Sequence, residues 1–329
     1  MAKLNSREGR NSLSKSRFRT SLLAWFDQHK RDLPWRQNRD PYRVWISEIM
    51  LQQTRVAAVV DHYHRFLQRF PTIEKLATAR EASVLTVWSG LGYYRRARML
   101  HAAAKQLVRQ HEGIFPRTAA ELLQLPGIGR YTAAAIASIS FDEPLAVVDG
   151  NVERVVERVL GTSLTGEARW EFVNQLLNRD RPGDFNQAMM ELGATICLPR
   201  QPKCLLCPIS EMCKTRGESR KAGNGTRQKN KVVCYALGCR DGAVFLVQRP
   251  RVATLMPAMW ELPEIAPPKG ATQPWLTLRH SITVTDYKVQ VIKAAIPEGT
   301  PGRWVPKPGI AKLPLTGLTR KILRAVQVI

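Results

Sequence analysis

Four of the six cysteines fall within 17 residues, as Cys197-x6-Cys204-x2-Cys207-x5-Cys213, and no other feature limits the fold of this chain so tightly. A disulfide framework spreads its cysteines through a domain, whereas a cluster of this kind points to a metal or cluster site. The N-terminus, Met1 to Thr20, is polar and basic without an apolar stretch, so no secretory signal is expected. Zinc is the ordinary occupant of four-cysteine sites with a C-x2-C pair. The x6/x2/x5 spacing lacks the two distant knuckles of a zinc ribbon, and a [4Fe–4S] cluster takes the same four thiolates. Spacing alone leaves the metal open.

The charge balance names a class of partner. Lys and Arg number 50 against 27 Asp and Glu, a net charge of +23 over 329 residues. A polyanion is the expected partner, and nucleic acid the first candidate, because phosphate neutralisation supplies most non-specific binding energy. Basic structural proteins of the histone type are poor in aromatics, while this chain has 8 Trp, 7 Tyr and 9 Phe. No apolar run approaches the ~18–20 residues of a membrane span. A cytoplasmic location, on the nucleoid in a bacterium, is expected, with no membrane partner.

Composition divides the chain into four. Residues 1–16 read as a basic tail and 17–213 as helix almost throughout, with Leu22, Trp25, Phe26 and His29 at helical spacing. Thr118-Ala-Ala-Glu121 has the form of a capping box. Residues 214–231 hold seven basic residues against Glu218 alone, around Gly223-Asn-Gly225, and read as a linker. From 232 to 329 the period switches to strand. Val232–Cys239 and Ala243–Gln248 flank Asp241-Gly242, a hairpin signal, further strand-like runs span 282–285 and 289–292, and a basic helix is expected over 319–328. The fold class is therefore mainly α, with a small α+β domain at the C-terminal end. No βαβ repeat or Gly-rich phosphate loop is present.

Three further segments carry chemistry. In Leu125-Pro-Gly127-Ile-Gly129-Arg-Tyr131, a helix ends and an Ala-rich helix starts at once. The turn exposes backbone N–H groups at a helix N-terminus, where a phosphate is favoured; the alternative is an ordinary helical corner. Glu48, in Val44-Trp-Ile-Ser-Glu-Ile-Met-Leu, shares a helix face with Val44, Trp45 and Leu51. Apolar surroundings raise a carboxyl pKa, as a general acid at neutral pH requires; the alternative is a Glu satisfied by a neighbouring Arg. Asp149, in Val147-Val-Asp-Gly-Asn-Val, ends an apolar run and starts a helix. As an N-cap it accepts backbone N–H bonds and stays ionised, or it caps and does nothing more. A protonated Glu beside an ionised Asp is the division of labour used to break bonds at an anomeric carbon.

Taken in order, "SEIMLQQT", "GLGYYRRAR", "LPGIGRYTA", "VVDGNVERV", "FNQAMMELGATIC" and the cysteine spacing resemble the endonuclease III superfamily of DNA glycosylases, within it the adenine DNA glycosylases of the MutY branch. The resemblance covers 17–213 and implies a two-lobed helix-hairpin-helix glycosylase with an iron–sulfur lobe, a base excision repair enzyme. Its substrate would be double-stranded DNA with adenine opposite 8-oxoguanine or G, bound by a monomer that flips the adenine out of the stack. By resemblance Glu48 protonates the leaving adenine, Asp149 stabilises the oxocarbenium-like sugar, and Tyr131 stands beside it. Lyase-active relatives have a Lys at the Tyr131 position, so a monofunctional enzyme is implied. Arg31, Trp35 and Gln187 match adenine-pocket residues, Gln53 and Tyr93 match residues inserted around the 8-oxoguanine, and Gly127 and Gly129 match the DNA-binding hairpin. Cys197, Cys204, Cys207 and Cys213 match ligands of a [4Fe–4S] cluster.

Residues 232–329 resemble the Nudix-like, lesion-recognising domain of that branch through "VQRP" and "LMPAMWELPE". No acidic residue lies between Glu264 and Asp286, so the acid-rich hydrolase motif is missing and a binding role is left. The family's aromatic–Ser–His loop falls at Ile282-Thr283-Val284, where Thr283 keeps only the hydroxyl. The rival readings are a thymine- or uracil-mismatch glycosylase and a non-catalytic, cluster-bearing DNA-damage-binding protein.

Overall fold

The structure is a computed structural model that describes residues 14–216, 229–267, 273–282, 285–296 and 298–329. Thirteen helices are found among them: α1 (Lys15–His29), α2 (Pro41–Leu51), α3 (Val56–Arg69), α4 (Ile73–Ala77), α5 (Glu81–Trp88), α6 (Arg95–His111), α7 (Ala119–Leu122), α8 (Arg130–Phe141), α9 (Gly150–Leu160), α10 (Gly166–Leu176), α11 (Pro182–Thr195), α12 (Lys307–Ile310) and α13 (Gly317–Ala325). They divide between two compact units that are each discontinuous in sequence. One joins the chain up to Gln53 with 106–222, and the other joins 54–105 with 223–329.

In the first unit, α11 packs on α1, α8 and α9. Phe18, Leu22 and Phe26 from α1, Val152, Val155, Val156 and Val159 from α9, and Phe185, Met189 and Leu192 from α11 fill one buried core. Each such side chain contributes roughly 1.5–3 kcal/mol. Two glycines allow the approach of α11: a Cβ on Gly183 would meet the Ser138 carbonyl of α8 at 2.6 Å, and one on Gly193 would meet Asn151 of α9 at 2.6 Å. The capping box of α7 forms as expected between Thr118 and Glu121. α8 buries its alanines, Ala133 to Ala135 and Ala137, which lets α2 lie close against it. That contact brings Glu48 of α2 to Tyr131 of α8.

The second unit holds α3–α5, the first part of α6, and eight strands: β1 (Lys229–Leu237), β2 (Cys239–Arg240), β3 (Ala243–Gln248), β4 (Trp260–Glu261), β5 (Glu264–Ile265), β6 (Leu276–Ile282), β7 (Thr285–Lys293) and β8 (Arg303–Pro306). One sheet has the order β5-β1-β7-β6 with β1 and β7 parallel; the other runs β2-β3-β4 with β8 also on β3. Asp241 and Gly242 both take positive φ, 49° and 70°, the geometry of a tight hairpin turn. Val244, Leu246, Val289, Val291, Ile322 and Leu323 lie in the core between sheets and α13.

Several boundaries differ from expectation. β1 starts at Lys229, within the segment read as linker, because Lys229–Lys231 pair with Thr285–Tyr287 and backbone pairing tolerates an exposed lysine such as Lys231. α1 starts at Lys15, within the segment read as tail, since Ser14 caps it through a bond from the Arg17 N–H. α13 spans 317–325 rather than 319–328, because Thr316 takes the N-cap and accepts from the Thr319 N–H. β6 begins at Leu276, well before the run expected at 282. Among the described residues no helix is long and apolar enough to cross a membrane.

Candidate active site

Glu48 is 5% exposed, on the α2 face that packs against α8. Its Oε2 accepts a 2.6 Å hydrogen bond from the Tyr131 hydroxyl. Burial pushes the Glu48 carboxyl up to about 7, and the negative charge of Asp149 adds to the rise; the Tyr131 bond and the Arg36 charge oppose it without prevailing. The alternative of a Glu held by an Arg is therefore not realised, since Glu48's hydrogen-bonding partner is a hydroxyl. Tyr131, near the start of α8, has its own pKa raised well above the ordinary value, by burial first and then by Glu48 and Asp149. It stays a protonated donor. Its oxygen also lies 3.3 Å from the Met190 sulfur.

Asp149 caps α9 as its position predicted. Oδ1 accepts from the Asn151 and Val152 N–H groups at 3.0 and 2.8 Å, and Oδ2 accepts from the Asn151 side-chain amide at 2.9 Å. Every one of these bonds suits a carboxylate that only accepts. Asn151 in turn accepts from Arg154 Nη2 at 2.8 Å, and Arg154 donates to the carbonyls of Gly193 and Cys197 at 2.7 and 2.8 Å. An unbroken chain of hydrogen bonds thus runs from Asp149 to the first cysteine.

Beside this pair lies an ion cluster that sequence reasoning missed. Glu191 of α11 is 1% exposed and accepts from Arg31 Nε at 2.6 Å, from Arg31 Nη2 at 2.9 Å and from Arg36 Nη2 at 2.8 Å. Burial alone would raise the Glu191 carboxyl; hydrogen bonds from Arg31 and Arg36 outweigh it and hold the group below its usual range. Arg36 Nε also donates to Gln187 Oε1 at 3.2 Å. Arg31 and Gln187, read as base-pocket residues, are therefore both tied into this cluster, and Trp35 is buried in the same 34–36 turn. The available signal was an isolated Glu in the apolar run Met189-Met-Glu-Leu192.

Four sequence-picked residues carry unusual backbones or a bare helix end. Gly127 has φ of 75°, and Gly129 caps α8 with no side-chain bond and open space around its α-carbon. Twelve residues of helix therefore present a glycine-lined N-terminus to solvent. Gln53 and Tyr93 take positive φ, 55° and 46°, a conformation non-glycine residues rarely adopt, and both are exposed. Strain of this kind clusters at ligand clamps. Thr283 and Val284 lie outside the described residues.

Cys197, Cys204, Cys207 and Cys213 line one pocket with Val155, Arg158 and Leu192. Arg158 Nη1 donates to the Cys197 sulfur at 3.3 Å. Burial pushes the Cys207 thiol up to about 11 and raises Cys204, with the neighbouring cysteines adding to both. No three His, Cys, Asp or Glu side chains among the described residues converge on a single ion. Four sulfurs around a common apolar pocket, with a cation at its wall, fit a multinuclear thiolate-held group by donor chemistry.

Comparison with known proteins adds a frame. The family described as "HhH-GPD superfamily base excision DNA repair protein" matches residues 46–176. The adenine DNA glycosylase of Rattus norvegicus is 50% identical over 212 residues, covering 60% of this chain and 41% of that protein. The adenine DNA glycosylase of Arabidopsis thaliana is 40% identical over 300 residues, covering 76% and 47% respectively. This chain thus spans less than half the length of either relative. The solved structure of a thermostable thymine-DNA glycosylase superposes with a TM-score of 0.58 at 32% identity, covering 61% of this chain and 96% of that one.

Proposed function

Because this chain belongs to the HhH-GPD superfamily of base excision DNA repair proteins, we propose that it is a monofunctional DNA glycosylase that hydrolyses the N-glycosidic bond of adenine opposite 8-oxoguanine or guanine. The observation that carries this reading is Glu48: a buried carboxyl pushed to about 7, hydrogen-bonded by Tyr131 and facing the Asp149 cap. Glu48 gives its proton to a ring nitrogen of the flipped adenine, and the bond from base to C1′ breaks with its electrons leaving on the base. The cation left on the sugar is stabilised by Asp149, whose bonds from the α9 N-terminus fix its position. Water adds at C1′ and loses its proton to a carboxylate. Identity to adenine glycosylases supports the base, and the resemblance of Gln53 and Tyr93, both exposed with positive φ, to lesion-contacting positions supports the 8-oxoguanine partner.

The test is a single-turnover gel assay on duplexes with A opposite 8-oxoguanine, A opposite G, and T opposite G. Excision is expected from the first two, with strand breaks only after alkali. Borohydride is expected to trap little protein on product, because Tyr131 cannot form an imine. Excision from T opposite G alone would move the assignment to the thymine-mismatch relatives, and strand cleavage without alkali would remove the monofunctional reading.

We assign Cys197, Cys204, Cys207 and Cys213 to a [4Fe–4S] cluster. When bound, the cluster supplies four iron–thiolate links that tie the 197–213 loop into one body. Arg158 orients the Cys197 sulfur, and Arg154 joins the same segment to Asn151 and so to Asp149. Purified protein is expected to be yellow-brown with about four irons per chain. One zinc per colourless chain would refute the assignment.

A further inference from the structure

The geometry points to a phosphate-binding cleft in the second unit, walled by Arg65 of α3 and Arg320 and Arg324 of α13, that seats one phosphate of the DNA backbone; this deepens the glycosylase reading and rests on it. The three guanidinium groups share the cleft with His62 and His64, and Asp61 is the one acid at its wall among the described residues. None of the three arginines forms an ion pair with a described residue, although Arg65 donates to the Asp61 carbonyl and Arg320 to Ser89 Oγ. Those two bonds aim the groups without neutralising them. Burial lowers the Arg320 pKa, and the charges of Arg324 and Arg65 lower it further, so the three cations stand near enough to repel one another. An anion among them relieves that repulsion.

Three features favour a phosphodiester of the duplex. The cleft is open on the solvent side, with Arg65 and Arg324 exposed. Its floor is the first turn of α3, where Ala57 and Ala58 are exposed and small and Arg55 provides no side-chain cap. Backbone amides at such an end favour an oxyanion. The two segments that line the cleft also lie near the strained, exposed residues in sequence: Ala57 follows Gln53 by four positions, and Gly90 precedes Tyr93 by three.

The test measures affinity for an undamaged duplex between 50 and 200 mM salt for wild type, Arg65→Gln/Arg324→Gln and Arg65→Lys/Arg324→Lys. One lost phosphate contact is expected to reduce the slope of log K against log salt by about 1 in the Gln variant. The weakening is expected to be equal on undamaged and A:8-oxoguanine duplexes, and the Lys variant is expected to recover most of the slope. An unchanged slope in the Gln variant would overturn the cleft as a backbone site. Calorimetry with inorganic phosphate separates the sources: uptake by wild type, lost in the Gln variant while the DNA slope is unchanged, would mark a free-phosphate site and also overturn it. Because the undamaged duplex needs no excision, wild type that fails to release adenine would sink the glycosylase reading and leave the slope interpretable.

Discussion

Glu48→Gln is expected to abolish base excision, by ~100–10,000-fold, while duplex binding survives. Gln keeps the shape and can still accept the Tyr131 hydrogen bond, but it has no proton to deliver. The pH profile carries a second signature. A carboxyl titrating at about 7 is in its acid form below that value, so wild-type single-turnover excision is expected to fall as pH rises through 7. The same shift bears on stability. The folded-state pKa lies above that of the unfolded chain, so the contribution of Glu48 is fully present below the unfolded value and is lost as pH rises through about 7. Glu48→Gln removes that loss, and its stability relative to wild type is expected to be higher at pH 8 than at pH 5. Excision within threefold of wild type, or a variant whose relative stability does not change with pH, would remove Glu48 as the acid.

Glu191→Gln is expected to destabilise the fold by about 3 kcal/mol at pH 7, measured by urea unfolding. Breaking a buried ion cluster on one side typically costs 3–5 kcal/mol, because the partner charges stay behind. The lower end is expected here because the Arg31 side chain is 38% exposed and water recovers part of the loss, whereas that of Arg36 is only 13% exposed. The Glu191 carboxyl is held below its ordinary range, so its stabilisation is present at neutral pH and is lost as the solution is acidified through the folded-state value. The gap between wild type and Glu191→Gln is therefore expected to narrow toward pH 4. A gap under 1 kcal/mol at pH 7 would show that the cluster is solvated rather than structural.

Local chemistry explains what was legible in the sequence. The Asp149 cap, the Thr118–Glu121 box and the Asp241-Gly242 turn each complete themselves within four residues, so composition and order suffice. Glu48 stood out because a carboxylate on an apolar helix face is costly wherever that face packs. The Arg31–Glu191–Arg36 cluster did not, since its members lie 155 and 160 positions apart and no local pattern pairs them. The parallel pairing of β1 with β7 was hidden for the same reason: strand residues announce alternation, not a partner. Nor did anything between 54 and 105 announce that this helical stretch packs with the last hundred residues rather than with its sequence neighbours.

That discontinuity has a consequence for synthesis on the ribosome. Ser89 Oγ and the Tyr94 hydroxyl both donate to the Leu315 carbonyl, at 3.0 and 3.1 Å, across separations of 226 and 221 residues. Both hydroxyls are buried, and although they also lie 3.3 Å from each other, the carbonyl they share is translated more than two hundred residues later. The stretch from 54 to 105 therefore gains these two bonds only once the ribosome has produced Leu315, just before α13. Loop closure over such a distance is slow relative to helix formation. Nascent chains of this protein should thus depend on holding chaperones until late in translation, and a premature stop before α13 should damage a helical region encoded two hundred codons upstream.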